Sequence, residues 1–112
     1  SYLKKASAED AQAEATVRIG EILWEQGNHL EAKEHFQLVE QLPVIPGDRL
    51  WRARSTYRLA ECLREEGNLS EAKTEYEKAI TDFPDSPWAE EADWKLKTVD
   101  WQIRRLDQVS VR

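Results

Sequence analysis

The stretch EEGNLSEAKTEY, Glu65 to Tyr76, decides how this chain folds, because forty residues upstream it stands almost unchanged as EQGNHLEAKEHF, Glu25 to Phe36. Shifted by 40, the segment from Ala13 to Val39 agrees with its copy at 11 of 27 positions, among them Thr16 with Thr56, Arg18 with Arg58, Glu21 with Glu61 and Leu23 with Leu63. Composition alone gives roughly one or two such agreements. The chain is therefore an internal repeat, and its repeat unit sets the fold.

Each copy is punctuated as helix, turn, helix. Val17, Ile19, Ile22 and Leu23, then Tyr57, Leu59, Cys62 and Leu63, recur at helical spacing. Gly27 and Gly67 suit the left-handed residue that closes a helix. Asn28 and Asn68 follow as expected N-caps, with Glu31 and Glu71 three residues on to complete capping boxes. The second helices are expected from about His29 to Leu42 and from about Leu69 to Phe83, with Ala32, Phe36, Val39 and Ala72, Tyr76, Ala79 on one face. Gly20 and Ala60 are expected to meet Ala32 and Ala72, so that the paired axes lie close. Ser7, with Asp10 three residues later, places the first helix start near Ala8. Ser86 and Pro87 open a last helix that runs to about Gln108, with Leu96, Val99, Ile103 and Leu106 as its packing stripe. Tyr2 and Leu3 are taken as the stub of a removed segment.

These residues carry a resemblance. The Ile19-Gly20 and Leu59-Ala60 pairs, the Gly-Asn turns, Ala32/Ala72, Phe36/Tyr76, Val39/Ala79 and Pro84 resemble the tetratricopeptide repeat in spacing and kind, over about Ala13 to Ser86. The fold it implies is all-α: a right-handed superhelix of antiparallel helix pairs, about two and a half repeats, five helices with a C-terminal capping helix. The chain is read as one domain, with repeat one at about 13–46, repeat two at about 53–86 and the capping helix at about 87–108. It departs from the family in the long LPVIPGD connection, which is expected to alter the angle between pairs. Its third copy, SPWAEEADWKL, has Lys97 where a small residue belongs and Arg104 where the turn glycine belongs.

Composition narrows the function. The chain has 112 residues, 40% hydrophobic and 34% charged, with a formal net charge of −6. That balance argues against nucleic acid, which needs a concentrated basic face. No stretch approaches the ~20 apolar residues of a membrane span. The single Cys62 rules out an internal disulfide and a CxxC site; on an apolar stripe, it reads as a core thiol. The chain opens on Ser1 and lacks methionine, so it is taken as a processed or excised form.

No catalytic constellation assembles. His29 and His35 lie six apart across a turn, without the one-face spacing of a helical metal pair. There is no phosphate loop or nucleophile elbow. The acids Asp82, Asp85, Glu90, Glu91 and Asp93 read as helix-end and solvent charges. The expectation is a non-enzyme with no cofactor and no metal.

The five tryptophans divide into two sets. Trp51 and Trp88 recur at one repeat position and read as packing at the joints between pairs. Trp94 and Trp101 lie within about 20° of each other, opposite Leu96 and Ile103. Trp24 stands seven residues after Val17, which aligns with Tyr57 and Trp94. The resemblance implies that these positions line the concave surface, giving a partner groove of Val17, Glu21, Trp24, Arg54, Tyr57, Arg58, Glu61, Arg64, Trp94 and Trp101, with Arg18, Glu25 and Lys95 interleaved. Aromatics rimmed by charge suit protein binding. Three readings stay open: a module that binds a protein or peptide segment in this groove, a scaffold element that homo-oligomerises through the Trp94/Trp101 face, and a passive domain of a larger enzyme or transporter assembly. The chaperone-tail clamp of related repeats needs Lys and Asn where this chain has Val17 and Glu21, so that role is not expected. DFPDSPWAEEADWKL is also similar to the repeats of bacterial envelope proteins, such as the outer-membrane assembly lipoproteins and the Tol-Pal associated periplasmic protein, which implies a bacterial source, an envelope location and a scaffold role.

Overall fold

The computed structural model describes the backbone of residues 2–111 and the side chains of residues 12–108. Five helices succeed one another: α1 (Tyr2–Glu25), α2 (His29–Gln41), α3 (Arg49–Glu65), α4 (Leu69–Asp82) and α5 (Pro87–Val111). Among the described residues there is no strand. Each helix packs on the next, while α1, α3 and α5 also touch in series and form one row. The repeat is thus a stack of helical hairpins.

The two Gly-Asn turns close their helices by backbone alone. Gly27 (φ 85°) and Gly67 (φ 86°) are left-handed. The Asn28 and Asn68 amides donate to Leu23 and Leu63 carbonyls at 2.9 Å, while the two glycine amides donate to Trp24 and Arg64 at 3.0 Å. This six-to-one, five-to-two pairing is the Schellman arrangement. The expected capping boxes are not formed: neither asparagine side chain caps its helix, and that of Asn68 donates instead to Glu66. Each asparagine already serves two helices through its main chain, since its carbonyl also accepts the first helical bond, from Ala32 or Ala72.

The first helix starts at Tyr2 rather than near Ala8, so Ser7 lies inside it and not at its start; the Ser7 side chain itself is outside the described residues. At the other end, the Ser86 hydroxyl accepts from the Ala89 amide at 3.2 Å and Pro87 takes the first helical position, as the sequence predicts. This last helix runs on to Val111.

Phe36, Tyr76, Val17, Val39 and Val99 are completely enclosed, each contributing about 1.5–3 kcal/mol by burial. Gly20 lies against the Phe36 ring: a Cβ there would come within 2.7 Å of it. Of the α5 stripe, Val99 is buried and Leu96 and Ile103 pack on the core, whereas Leu106 stays 56% exposed. Ile19 and Ile22, counted by periodicity among the apolar positions, face outward.

The long connection between α2 and α3 is held by one arginine. Arg52 donates to the Val39, Leu42 and Pro43 carbonyls at 3.0, 2.8 and 2.8 Å and to Asp48 at 2.8 Å. Asp48 in turn accepts from the Ile45 amide at 3.2 Å. The carbonyls at the end of α2 and the turn amide thereby gain side-chain partners, Val39 in addition to the Leu42 amide that it already binds. Ser55 adds a buried bond to the Phe36 carbonyl.

Candidate protein-interaction face

The row of α1, α3 and α5 brings the equivalent positions of successive repeats side by side. Glu21 of α1 sits opposite Arg54 and Arg58, which lie one turn apart on α3. Arg54 grips its carboxylate with two hydrogen bonds, 2.7 and 2.6 Å, and Arg58 adds a third at 2.8 Å. Burial alone would raise the Glu21 carboxyl, but the hydrogen bonds and positive charges of the two arginines outweigh it and hold the group below the usual carboxylate range. A cleft of about 190 Å³ opens here, floored by Phe36 and lined by Glu21, Trp24, Glu25, Arg54, Arg58 and Glu61. Trp24 is half-buried and stacks on His29, with ring centroids 4.0 Å apart.

The row continues to α5. Glu61 accepts from the Tyr76 hydroxyl at 3.1 Å and pairs with Lys95 at 3.5 Å; Arg64 donates to Gln102 at 3.3 Å. Lys95 and Gln102 are thus among the α5 side chains turned toward α3.

Of the ten residues the sequence places in one groove, Glu21, Trp24, Arg54, Arg58 and Glu61 come together, with Arg64 farther along the same row. Four do not. Val17 is fully buried and Tyr57 only 5% exposed, so both belong to the core. Their helical positions point between the paired helices rather than into the cleft. Trp94 and Trp101 stand 69% and 54% exposed on another face of α5, about 100° from Lys95 and Gln102. The shared hollow expected for all the rings is thus two separate surfaces.

Trp51 and Trp88 pack against the core as joint residues, as expected, yet they also do something periodicity does not reveal. Arg18 and Arg54 lie over Trp51, 5.0 and 5.2 Å from its ring centre. Arg54 and Arg58 lie over Trp88 at 5.4 and 5.5 Å. Cations and rings alternate along the row, each contact worth about 0.5–1 kcal/mol where solvent reaches it. The available signal was the series of arginines at 54 and 58 beside tryptophans at equivalent repeat positions.

The remaining chemistry is quiet. Burial, with Glu66 next, pushes the Cys62 thiol up to about 12, which keeps it a protonated core group. Tyr57 and Tyr76 are pushed well above the ordinary phenol value, chiefly by burial and then by Glu61. Among the described residues no cluster of His, Cys, Asp or Glu is arranged to hold a metal ion. No helix among the described residues is long and apolar enough to cross a membrane.

Stacked helical hairpins closed by Gly-Asn turns, with a charged cleft between the first helices of successive pairs, define a helical-repeat protein. A family model described as tetratricopeptide repeat matches residues 11–85. The chain belongs to the tetratricopeptide repeat family, whose members are generally protein-interaction modules without catalysis of their own. Neither a search of curated proteins nor one of solved structures finds a significant match.

Proposed function

We propose that the chain captures a segment of a protein partner in the cleft between α1 and α3, with Trp24 supplying ring surface and Glu25, Arg58 and Glu61 supplying polar contacts. The observation that carries this reading is the cleft itself: an aromatic wall and a Phe36 floor beside a cluster of fixed charges. Arg54 and Arg58 are already oriented by Glu21, so an incoming carboxylate or carbonyl meets donors that need no reordering. Half-buried Trp24 offers rigid contact area at small entropy cost. No nucleic-acid role fits, because Glu21, Glu25 and Glu61 share the cleft with the arginines.

Selection from a displayed random-peptide library tests this. Enriched peptides should lose at least about tenfold in affinity, or ~1.4 kcal/mol, on Trp24→Ala and Arg58→Ala, and keep it on Thr74→Ala, an exposed α4 change. If no peptide enriches, or if the enriched ones bind all three variants alike, the cleft is not the binding site.

A further inference from the structure

The α5 face opposite the core carries a second, self-complementary surface. At about 100° per residue, Glu90, Trp94, Lys97, Trp101 and Arg105 fall on one stripe roughly opposite buried Val99. Its two rings are the exposed ones, each flanked by a cation of its own helix: Lys97 lies 5.7 Å from the Trp94 ring centre and Arg105 5.3 Å from that of Trp101. Along the helix the charges are sorted. Glu90 lies at the N-terminal end of the stripe with Glu91 and Asp93 at its two flanks, and Arg105 at the C-terminal end with Arg104 on the flank that Asp93 shares.

We infer that this face is an interface between two copies of the chain, related by a two-fold axis beside Lys97 and Thr98 so that the two α5 helices run antiparallel. The polarity of the charge pattern selects this occupant. A two-fold contact sets the acidic end of one helix against the basic end of the other. It places Trp94 opposite Trp101 of the partner, Arg105 opposite the partner's Glu90 and Glu91, and Arg104 opposite the partner's Asp93. A parallel pairing would set like charge against like. Lys97, nearest the axis, is held by Asp93 of its own helix at 3.5 Å, which offsets its approach to its own copy. The four rings expose roughly 500 Å² between them, about a third of a standard interface of ~1,600 Å². The pair is consequently one that forms and separates with concentration. This surface is independent of the cleft between α1 and α3.

Sedimentation equilibrium across a wide concentration range, with helicity followed by circular dichroism, decides it. The chain should pass from monomer to dimer, and Trp94→Ala and Trp101→Ala should each raise the dissociation constant at least about tenfold while leaving helicity unchanged. Arg105→Glu and Glu90→Arg should each weaken the homodimer, and an equimolar mixture of the two variants should associate more tightly than either alone. A chain that is monomeric throughout overturns the inference, and so does a dimer indifferent to both tryptophans. A dimer whose charge variants show no recovery on mixing overturns the antiparallel pairing.

Discussion

Glu21 on α1 and Arg54 on α3 are joined by two hydrogen bonds of 2.6 and 2.7 Å, and Arg58 binds the same carboxylate. One acid of the first pair thus fastens two bases of the second, in the cleft where the rows meet. Glu61, its repeat equivalent, meets Lys95 of α5 instead. The same repeat position carries the contact from each hairpin to the next.

The Glu21 carboxyl is held low in the folded state, so its ion pairs stabilise the fold above the ordinary carboxylate value of about 4.5. That contribution disappears as pH falls through the lowered folded value, where the carboxylate takes up a proton. Glu21→Gln should cost about 1–2 kcal/mol at neutral pH and should flatten the acid limb of the stability profile. Urea unfolding followed at several pH values measures both. Equal losses at neutral and acid pH would show that the pair contributes no charge-dependent stability.

Gly20→Ala should destabilise although alanine is the better helix former. The added Cβ meets the Phe36 ring at 2.7 Å, and that ring is 1% exposed and has nowhere to go. Overpacking costs about 1–3 kcal/mol, against a propensity gain of at most about 1. In a Phe36→Leu background the same substitution should cost less or become favourable, so a double-mutant cycle by thermal unfolding isolates the contact. Additivity would place the strain elsewhere.

Helix number, turn positions and the core face were legible because each rests on short-range pattern: apolar spacing, left-handed glycine, Ser86-Pro87. The side-chain caps expected at Asn28 and Asn68 do not form, because the residue type that suits a cap also suits a turn whose bonds run through the main chain. Most of the cleft was legible, since repeat equivalence puts Glu21, Arg54, Arg58 and Glu61 on one row and Trp24 beside them. Alignment of Trp94 with Val17 and Tyr57, and of Trp101 with Trp24 seven residues on, puts both rings in it, but one residue of helix is about 100°. Lys95 and Gln102 hold the row, while the rings face away. The sharing of Glu21 by two arginines, and the service of Arg52 to three carbonyls, depend on distances between segments that no local pattern encodes.

Arg52→Ala should be among the most damaging single changes, at about 3 kcal/mol or more. It strands Asp48, only 2% exposed, and takes the arginine donor from the Val39, Leu42 and Pro43 carbonyls, of which Val39 alone keeps a second donor, the Leu42 amide. Arg52→Lys should recover little, because an ammonium group does not reproduce the planar fork that reaches several acceptors at once. Loss of hydrogen-exchange protection at the Ile45 amide, which Asp48 binds, would mark the release of the connection. Full stability in the lysine variant would mean that charge alone holds the loop.

Glu75 on α4 should behave opposite to Glu21. Its Oε2 is buried without a hydrogen-bond partner. Burial first, and then the negative charge of Glu40, raise its carboxyl above the ordinary value, only partly opposed by Lys78. A raised folded value means the proton is held more tightly in the native state, so ionisation works against folding as pH climbs through and beyond it. Glu75→Gln should therefore stabilise the chain at neutral pH by about 0.5–1.5 kcal/mol, with the gain shrinking as pH falls from the raised folded value toward the unfolded value of about 4.5 and gone below it. The amide keeps the length and volume of the side chain and gives it a donor to offer Glu40. Chemical denaturation of parent and variant at neutral and acid pH measures the difference. A variant less stable at neutral pH would mean that the Glu75 carboxylate is held favourably after all.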